Sequence, residues 1–220
     1  MTDRAAVLAD EIRKVVEALS TTDIPDDQLD EAIGLARQMA TRLDGPPNVR
    51  WYETGPLDSD ELGLSGTAYQ QQSPLRGARN PIAPPLVVEE TTDPDGEQLL
   101  VGRARLGPAY EGPPHGVHGG WVAALFDDIL GATLRFLDDV GVTGRLTVEF
   151  RHITPIDEDL ELRAWIQRSQ GRRTVAKATC HAGDTLTAEA EALFIQVDFE
   201  EVQTYMAERR QGRRPGDVSP

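Results

Sequence analysis

The first 44 residues carry apolar side chains at helical spacing. Between residues 3 and 19, and again between residues 29 and 43, they recur every three, four or seven positions, as on one face of a helix. The segment 20–25 offers cap residues and ends in Pro25. The pattern therefore predicts a helical hairpin over residues 1–44. Two such helices bury too little surface to be stable alone, so we expect their apolar stripe to pack on the main domain or on another subunit.

Residues 45–85 lose this periodicity and are rich in proline and glycine. This composition predicts a connector lying over a surface. The aromatic residues Trp51, Tyr52 and Tyr69 favour a connector that is wrapped against the domain.

From residue 86 onward the pattern is typical of β-strands. Apolar runs at 86–90 and 99–106 flank a Pro/Gly break and predict a hairpin. Four further runs follow, at residues 146–153, 160–169, 174–182 and 187–199. The breaks between these four are short, which favours antiparallel neighbours.

Residues 121–137 separate the hairpin from the four later strands and are apolar on almost every side. A helix with this pattern is buried. The simplest arrangement that covers it is an α+β fold in which one antiparallel sheet wraps around one long helix. We assign this domain to residues 86–200, and residues 201–220 to a polar, basic tail.

Charge and cysteine content narrow the function. The 220 residues contain 37 acidic and 22 basic side chains, which argues against a binder of nucleic acid or of membrane surfaces. The single cysteine, Cys180, allows no internal disulfide and lies in a strand-like run, where we expect it to pack. Neither a leader nor an apolar run of about 18 residues is present, so we expect a cytoplasmic protein.

Candidate chemistry lies where the apolar helix begins. The sequence His118-Gly119-Gly120 precedes the helix, Asp127 follows His118 by nine residues, and Thr143 leads into the next strand. This combination resembles the hotdog-fold acyl-CoA thioesterases of the phenylacetate-degradation type, over about residues 86–199. The resemblance implies hydrolysis of an acyl-CoA thioester to a carboxylic acid and free CoA, without metal or redox cofactor. It also implies homodimers, often assembled into tetramers, with sites between subunits.

The residue types suit acyl transfer. A helix N-terminus leaves backbone amides without partners, and glycine lets a ligand approach, so Gly119 and Gly120 are expected to donate to the thioester oxygen. Partial burial is expected to adapt Asp127 to act either as general base on water or as a nucleophile forming an anhydride. Thr143 would hold the water or the carboxylate. His118 either contributes to the site or only forms the turn.

Spacing indicates that this site needs two chains. Gly119 and Asp127 are eight residues apart, about 12 Å along a helix, which is too far for both to reach one thioester carbonyl. Two antiparallel helices of a twofold dimer would place one N-terminus against the other chain's carboxylate.

Several residues are candidates for binding the rest of the substrate. CoA phosphates need basic side chains on an acidic protein, and the candidates are Arg151, His152, Arg172 and Arg173. Trp121 is interpreted as packing or pocket lining. His115 and His118 have the spacing of a ligand pair, but four histidines and no cysteine pair do not predict a metal site.

Two other functions remain open. Relatives often have Asn where this chain has Gly112, so His115 either replaces that amide or the pocket differs; this departure favours an inactive acyl-CoA-binding or scaffold protein. The fragment Asn80-Pro81-Ile82 is similar to part of a hotdog enoyl-CoA hydratase signature. However, Ala78 and Ala83 occupy the acid and histidine positions of that signature.

Overall fold

The computed structural model of the chain describes residues 2–46, 68–137 and 141–197. The predictions for Trp51, Tyr52 and the tail at 201–220 lie outside these residues, and so does the side chain of Tyr69. The proposed domain boundaries stay a prediction.

Two N-terminal helices form where the periodicity predicts them, α1 at Arg4–Thr21 and α2 at Asp26–Arg42. The Asp3 side chain caps α1 by accepting hydrogen bonds from the first-turn amides. The expected burial of the apolar stripe is not found: α1 buries only Ala9, and α2 buries no residue. The stripe was expected to pack on the main domain or on another subunit. Within the single chain, the main domain does not cover α2, and packing on another subunit stays a prediction.

The described part of the connector is more ordered than its composition indicates. A short helix, α3 at Ala68–Gln72, is followed by hydrogen-bonded turns. The Leu86 amide donates to the Leu75 carbonyl at 2.8 Å, and Ala83 is fully buried. This part of the chain packs as a structured loop rather than as an open linker.

Six strands form one antiparallel sheet in the order β1-β2-β4-β5-β6-β3. Their bounds are β1 Val87–Thr92, β2 Gln98–Arg105, β3 Gly141–Phe150, β4 Asp159–Gln170, β5 Arg173–Ala182 and β6 Thr185–Gln196. Gly171 and Gly183, both at φ 55°, supply the left-handed turns that join β4 to β5 and β5 to β6. The predicted strands are thus confirmed, and β1 and β3 form the two edges of the sheet.

The largest shift concerns β3. This strand begins at Gly141, five residues before the predicted start, and ends at Phe150 rather than at residue 153. Its partner is β6, with Thr143 opposite Phe194 and an irregularity between Thr143 and Arg145. Thr143 therefore lies within the strand and not before it.

The long helix, α4, spans Gly119–Ala132 and continues as a 3-10 helix over Thr133–Leu137. Its burial is confirmed, because Leu125, Phe126, Ile129 and Leu130 have no exposed surface. A Cβ atom added at Gly131 would lie 3.8 Å from the Phe194 ring on β6, so the helix backbone passes close to the sheet there.

The chain divides into two compact units. The first comprises residues 1–87, 103–122 and 153–160, and the second comprises the remainder. The first contains α1, α2 and the loop that leads into α4; the second contains most of the sheet. Within the described ranges, no helix is both long and apolar enough to cross a bilayer.

Candidate functional site

The loop before α4 is fixed by backbone pairing on both sides. Gly112 donates to the Gly116 carbonyl at 2.9 Å, closing a tight turn. Val117 then donates to Thr154 at 2.7 Å, and His118 donates to Tyr110 at 2.9 Å. The backbone of His118 is therefore held in place immediately before the first residue of the helix.

His118 caps the helix. Its Nδ1 accepts from the Gly120 amide at 3.0 Å, and its carbonyl accepts from the amides of Trp121 and Val122 at 2.9 and 3.3 Å. Three of the first four helix amides thus have an acceptor, and the amide of Gly119 is not among them. In this conformation the Gly120 amide is bound to His118, so the expected donation from Gly120 to a ligand stays a prediction.

This cap determines which nitrogen of His118 carries the proton. An Nδ1 atom that accepts a hydrogen bond has no proton of its own, so the neutral ring is protonated at Nε2. The residue is exposed. The N-terminus of α4, which we call the mouth of α4, therefore presents two donors: the amide of Gly119 and the Nε2–H group of His118.

Two glycines lie against the His118 side chain. A Cβ atom added at Gly112 would lie 2.7 Å from His118 Cα and 3.1 Å from Cδ2. One added at Gly120 would lie 3.1 Å from Nδ1. A side chain at position 112 would collide with the backbone of His118, so this conformation of the loop requires glycine there.

His115 shapes the loop. Its φ of 60° is in the left-handed region, which is uncommon for a residue with a side chain. Its amide donates to the Glu111 carboxylate at 2.6 Å, and its carbonyl accepts from Ile156 at 3.2 Å. That His115 replaces the missing amide stays a prediction.

Asp127 and Thr143 are brought together as predicted. The Thr143 hydroxyl, on β3, donates to an Asp127 carboxylate oxygen at 2.8 Å. Of the two roles expected for Thr143, this bond favours holding the carboxylate. The expected desolvation of Asp127 is not found within a single chain, since the residue is exposed on α4.

Trp121 packs at the mouth of the helix, as expected. It is half-buried, and its ring meets that of Tyr110 edge to face, with centroids 4.9 Å apart and planes at 87°. Burial raises the pKa of Tyr110, and the nearby positive charge of Arg13 partly opposes the rise.

The candidates for binding CoA phosphates do not form one cluster. Arg151 pairs with Glu149 and Glu189, and the hydrogen bond to Glu189 raises its pKa, so its charge is already balanced. Arg173 lies opposite Ile195 on β6. Because Glu189 and Ile195 are six residues apart on that strand, the two candidate groups are about 20 Å apart.

The other two basic candidates have backbone partners. His152 Nδ1 lies 2.9 Å from the Leu186 carbonyl. The Arg172 guanidinium donates to the Gln196 carbonyl at 3.0 and 3.3 Å. Arg173 is exposed beside it. A CoA phosphate could therefore be bound by Arg172 and Arg173 or by the His152 region, but not by all four together.

Three further expectations from the sequence concern Cys180, the segment at Asn80 and a metal site. Cys180 is fully buried, which raises the pKa of its thiol and confirms its packing role. Asn80 holds a turn, with its side chain accepting from Ile82 and donating to Gln72, each at 3.0 Å. Among the described residues, no three or more His, Cys, Asp or Glu side chains come together as a group that could hold a metal ion.

Known proteins match the same region. The family model described as the thioesterase superfamily matches residues 115–189. Acyl-coenzyme A thioesterase THEM4 of Xenopus laevis is 31% identical over 46% of this chain and 46% of its own length. Human acyl-coenzyme A thioesterase THEM5 is 26% identical over 43% of this chain and 39% of its own. The chain thus spans less than half the length of these curated relatives.

One solved structure extends the likeness beyond the matched domain. A crystal structure of a thioesterase superfamily protein, 25% identical to this chain, superposes with a TM-score of 0.70. The alignment covers 87% of this chain and 94% of that one. The shared architecture confirms the fold class expected from the sequence.

Proposed function

Since residues 115–189 match the thioesterase superfamily model and the chain shares the fold of a solved thioesterase superfamily protein, we propose that it is an acyl-CoA thioesterase. It hydrolyses an acyl-CoA thioester to a carboxylic acid and free CoA. The observation that carries this proposal is the hydrogen bond from Thr143 to Asp127, which orients an exposed carboxylate on a helix whose N-terminus offers donors. The names of the curated relatives support the same substrate class.

The mouth of α4 polarises the thioester. The carbonyl oxygen accepts hydrogen bonds from the Gly119 amide and from His118 Nε2–H. As the carbonyl carbon becomes tetrahedral, negative charge develops on that oxygen, and fixed donors stabilise it without having to reorient. Gly120 contributes by keeping His118 in place rather than by donating.

Asp127 supplies the attack. As a general base it takes a proton from water while the water oxygen bonds to the carbonyl carbon. The intermediate then collapses, the C–S bond breaks, and the leaving CoA thiolate takes the proton from Asp127. In the alternative route a carboxylate oxygen attacks first, CoA leaves, and water opens the resulting anhydride. Thr143 orients the carboxylate in both routes.

Each site contains residues of two chains. Gly119 and Asp127 are separated by about 12 Å along α4, whereas reacting atoms must approach to about 3–3.5 Å. A second copy therefore supplies the carboxylate, and a twofold homodimer has two equal sites. We further propose that these dimers assemble into tetramers, as the resemblance implies.

The edge strand β3 is the surface on which we place this dimer contact. It carries Thr143, and its exposed apolar side chains include Val142 and Phe150, which are 53% and 55% accessible in the single chain. An edge strand with free backbone groups is a template for pairing with another strand. Coverage by the partner would also desolvate Asp127, which a single chain does not do.

The remaining parts of the proposal concern substrate and location. Arg172 and Arg173 bind CoA phosphate, since Arg151 is neutralised by two glutamates. No metal or redox cofactor takes part, and the proposed location is the cytoplasm. The acyl group is to be identified by measuring thiol release from short-chain, medium-chain, long-chain and aromatic acyl-CoAs.

The decisive variant is Asp127→Asn. Removing the base or nucleophile should lower kcat by a factor of about 10² to 10⁴, measured as thiol release, while leaving the Kd of a thioether analogue of the substrate nearly unchanged. Asp128→Asn, one residue along the same helix, is the matched control and should keep most activity. An unmodified protein that binds the analogue but releases no thiol would instead support the inactive acyl-CoA-binding protein.

A further inference from the structure

Arg13 is one of the residues that anchor α1 to the chain, together with the ion pair between Asp3 and Arg79 and the burial of Ala9. Arg13 donates to four backbone carbonyls of the segment 77–83: those of Asn80 at 2.8 Å, Ala83 at 3.0 Å, Gly77 at 3.2 Å and Ala78 at 3.3 Å. Its side chain is only 17% exposed, although the rest of its helix is largely in solvent. We call residues 77–83 the carbonyl loop. Arg13 holds this loop from a position 64 to 70 residues away in sequence.

The carbonyl loop is held from its other side by Tyr110. The Tyr110 hydroxyl donates to the Ile82 carbonyl at 3.0 Å. The ring of Tyr110 meets Trp121 in the first turn of α4, and its carbonyl accepts from the His118 amide. Burial raises the pKa of Tyr110, and the positive charge of Arg13 partly opposes that rise.

A continuous chain of contacts therefore joins α1 to the mouth of α4. It runs from Arg13 to the carbonyl loop, then to Tyr110, and from Tyr110 to Trp121 and His118. Both Ile82, whose carbonyl accepts from the Tyr110 hydroxyl, and Trp121, whose ring meets that of Tyr110, are accessible: Ile82 is 60% exposed and Trp121 is half-buried. An exposed apolar side chain next to aromatic rings is suited to contact an acyl group.

We propose that Arg13 is a positioning residue for the substrate: through the carbonyl loop and Tyr110 it fixes the wall formed by Ile82 and Trp121, against which the acyl group binds. The inference rests on the proposed thioesterase function. It assigns α1 to the substrate site, a role that the apolar periodicity of the N-terminal segment does not suggest.

Arginine suits this task for a geometric reason. Its planar guanidinium carries five N–H donors, so it can serve several carbonyls that converge from different directions, whereas the lysine ammonium has three donors and no fixed plane. The ion pair with Asp10, one turn earlier on α1, keeps the group oriented. Lysine at this position should therefore retain the charge but not the arrangement of the loop.

The kinetic test compares Arg13→Ala and Arg13→Lys with the unmodified chain. Both variants should raise KM for the preferred acyl-CoA, by about tenfold for Ala. The value of kcat should stay within about twofold, because neither variant touches Asp127 or Gly119. Lys14→Ala is the control: it removes the neighbouring exposed cation, which pairs only with Glu11 among its described contacts, and should leave both constants unchanged.

A double-mutant cycle tests the route. Tyr110→Phe removes the bond to the loop but keeps the ring against Trp121, so it should also raise KM. If Arg13 acts through Tyr110, the double variant should be no worse than Arg13→Ala alone. Hydrogen exchange should become faster in residues 77–83 of each variant and stay unchanged in residues 118–122, at a temperature where the protein remains folded.

The outcomes separate this inference from the proposed function. Unchanged KM in Arg13→Ala, or effects of Arg13 and Tyr110 that multiply independently, would overturn it even if the unmodified enzyme is active. If the unmodified protein releases no thiol, the proposed function is wrong. The inference is then tested by the Kd of the thioether analogue. Arg13→Ala should raise that Kd by about the same factor, and an unchanged Kd would refute the inference.

Discussion

Gly112 and Gly120 contact His118 from different sides, and together they decide what the imidazole can do. The Gly120 amide binds Nδ1, while the absence of a side chain at position 112 leaves room for the histidine backbone. In the sequence, position 112 is only a departure from the pattern of relatives. The structure makes it a requirement of this loop, because the nearest backbone atom would lie 2.7 Å from an added Cβ.

Gly112→Ala should therefore displace His118 and misdirect its Nε2–H donor. We expect kcat to fall by about tenfold or more, because small displacements of aligned groups are costly. The ¹⁵N shifts of His118, which report whether Nδ1 still accepts from Gly120, should change in parallel. Gly34→Ala is the control, since an added Cβ there meets nothing within 4 Å. Full activity in Gly112→Ala would show that the position of His118 is unimportant.

Single residues were predictable where their chemistry is local. The resemblance implied that Thr143 holds either the water or the Asp127 carboxylate, and the structure shows Thr143 donating to that carboxylate at 2.8 Å. The loss of the Gly120 amide to His118 and the neutralisation of Arg151 by Glu149 and Glu189 were not predicted. Both depend on side-chain conformations and on strand register, which the composition of a segment does not specify.

At the scale of elements, the apolar pattern located the strands and the long helix but placed the start of β3 too late. Its first residues include Gly141 and Gly144, which have low strand propensity and break the alternation. They nevertheless form strand because β6 supplies a partner for them, with Gly141 opposite Gln196. A tertiary pairing of this kind overrides local propensity, and it carries Thr143 into the sheet.

The exposed edge formed by β3 leads to a prediction about assembly. Phe150→Glu should place a charge on the proposed dimer contact, shift the protein toward monomer in sedimentation velocity and lower thiol release in the same proportion. Val87→Glu is the matched control, because Val87 lies on the opposite edge strand and is similarly exposed, at 57% against 55%. If both variants stay dimeric and active, the contact lies elsewhere.

At the scale of the whole molecule, the N-terminal helices proved least predictable. Their periodicity indicated an apolar stripe that packs on the main domain or on another subunit, and within the single chain α2 buries none of its residues and Leu35 is 59% exposed. α1 is held by the burial of Ala9, by the pairing of Asp3 with Arg79, and by Arg13, which reaches carbonyls far away in sequence. Hydrophobic periodicity does not predict the contacts of Arg13, because in the sequence a buried arginine cannot be distinguished from a solvated one.

The proposal of a shared site can be tested by mixing two inactive variants. Asp127→Asn keeps the donors at the mouth of α4, and His118→Ala keeps the carboxylate. In a mixed dimer one site combines the intact His118 of one chain with the intact Asp127 of the other, while the second site has neither. Random exchange makes about half of the dimers mixed, so thiol release should recover to about a quarter of the unmodified level.

Mixing Asp127→Asn with Asp127→Ala provides the control and should restore nothing, because no site then contains the carboxylate. Co-refolding or co-expression ensures that chains exchange, and mass spectrometry of the intact dimers counts the mixed species. Recovery in proportion to that count would mean that His118 and Asp127 act across the interface. Mixed dimers that remain inactive would mean that both groups serve a site within one chain, which the helix rise of about 12 Å between Gly119 and Asp127 makes difficult to build.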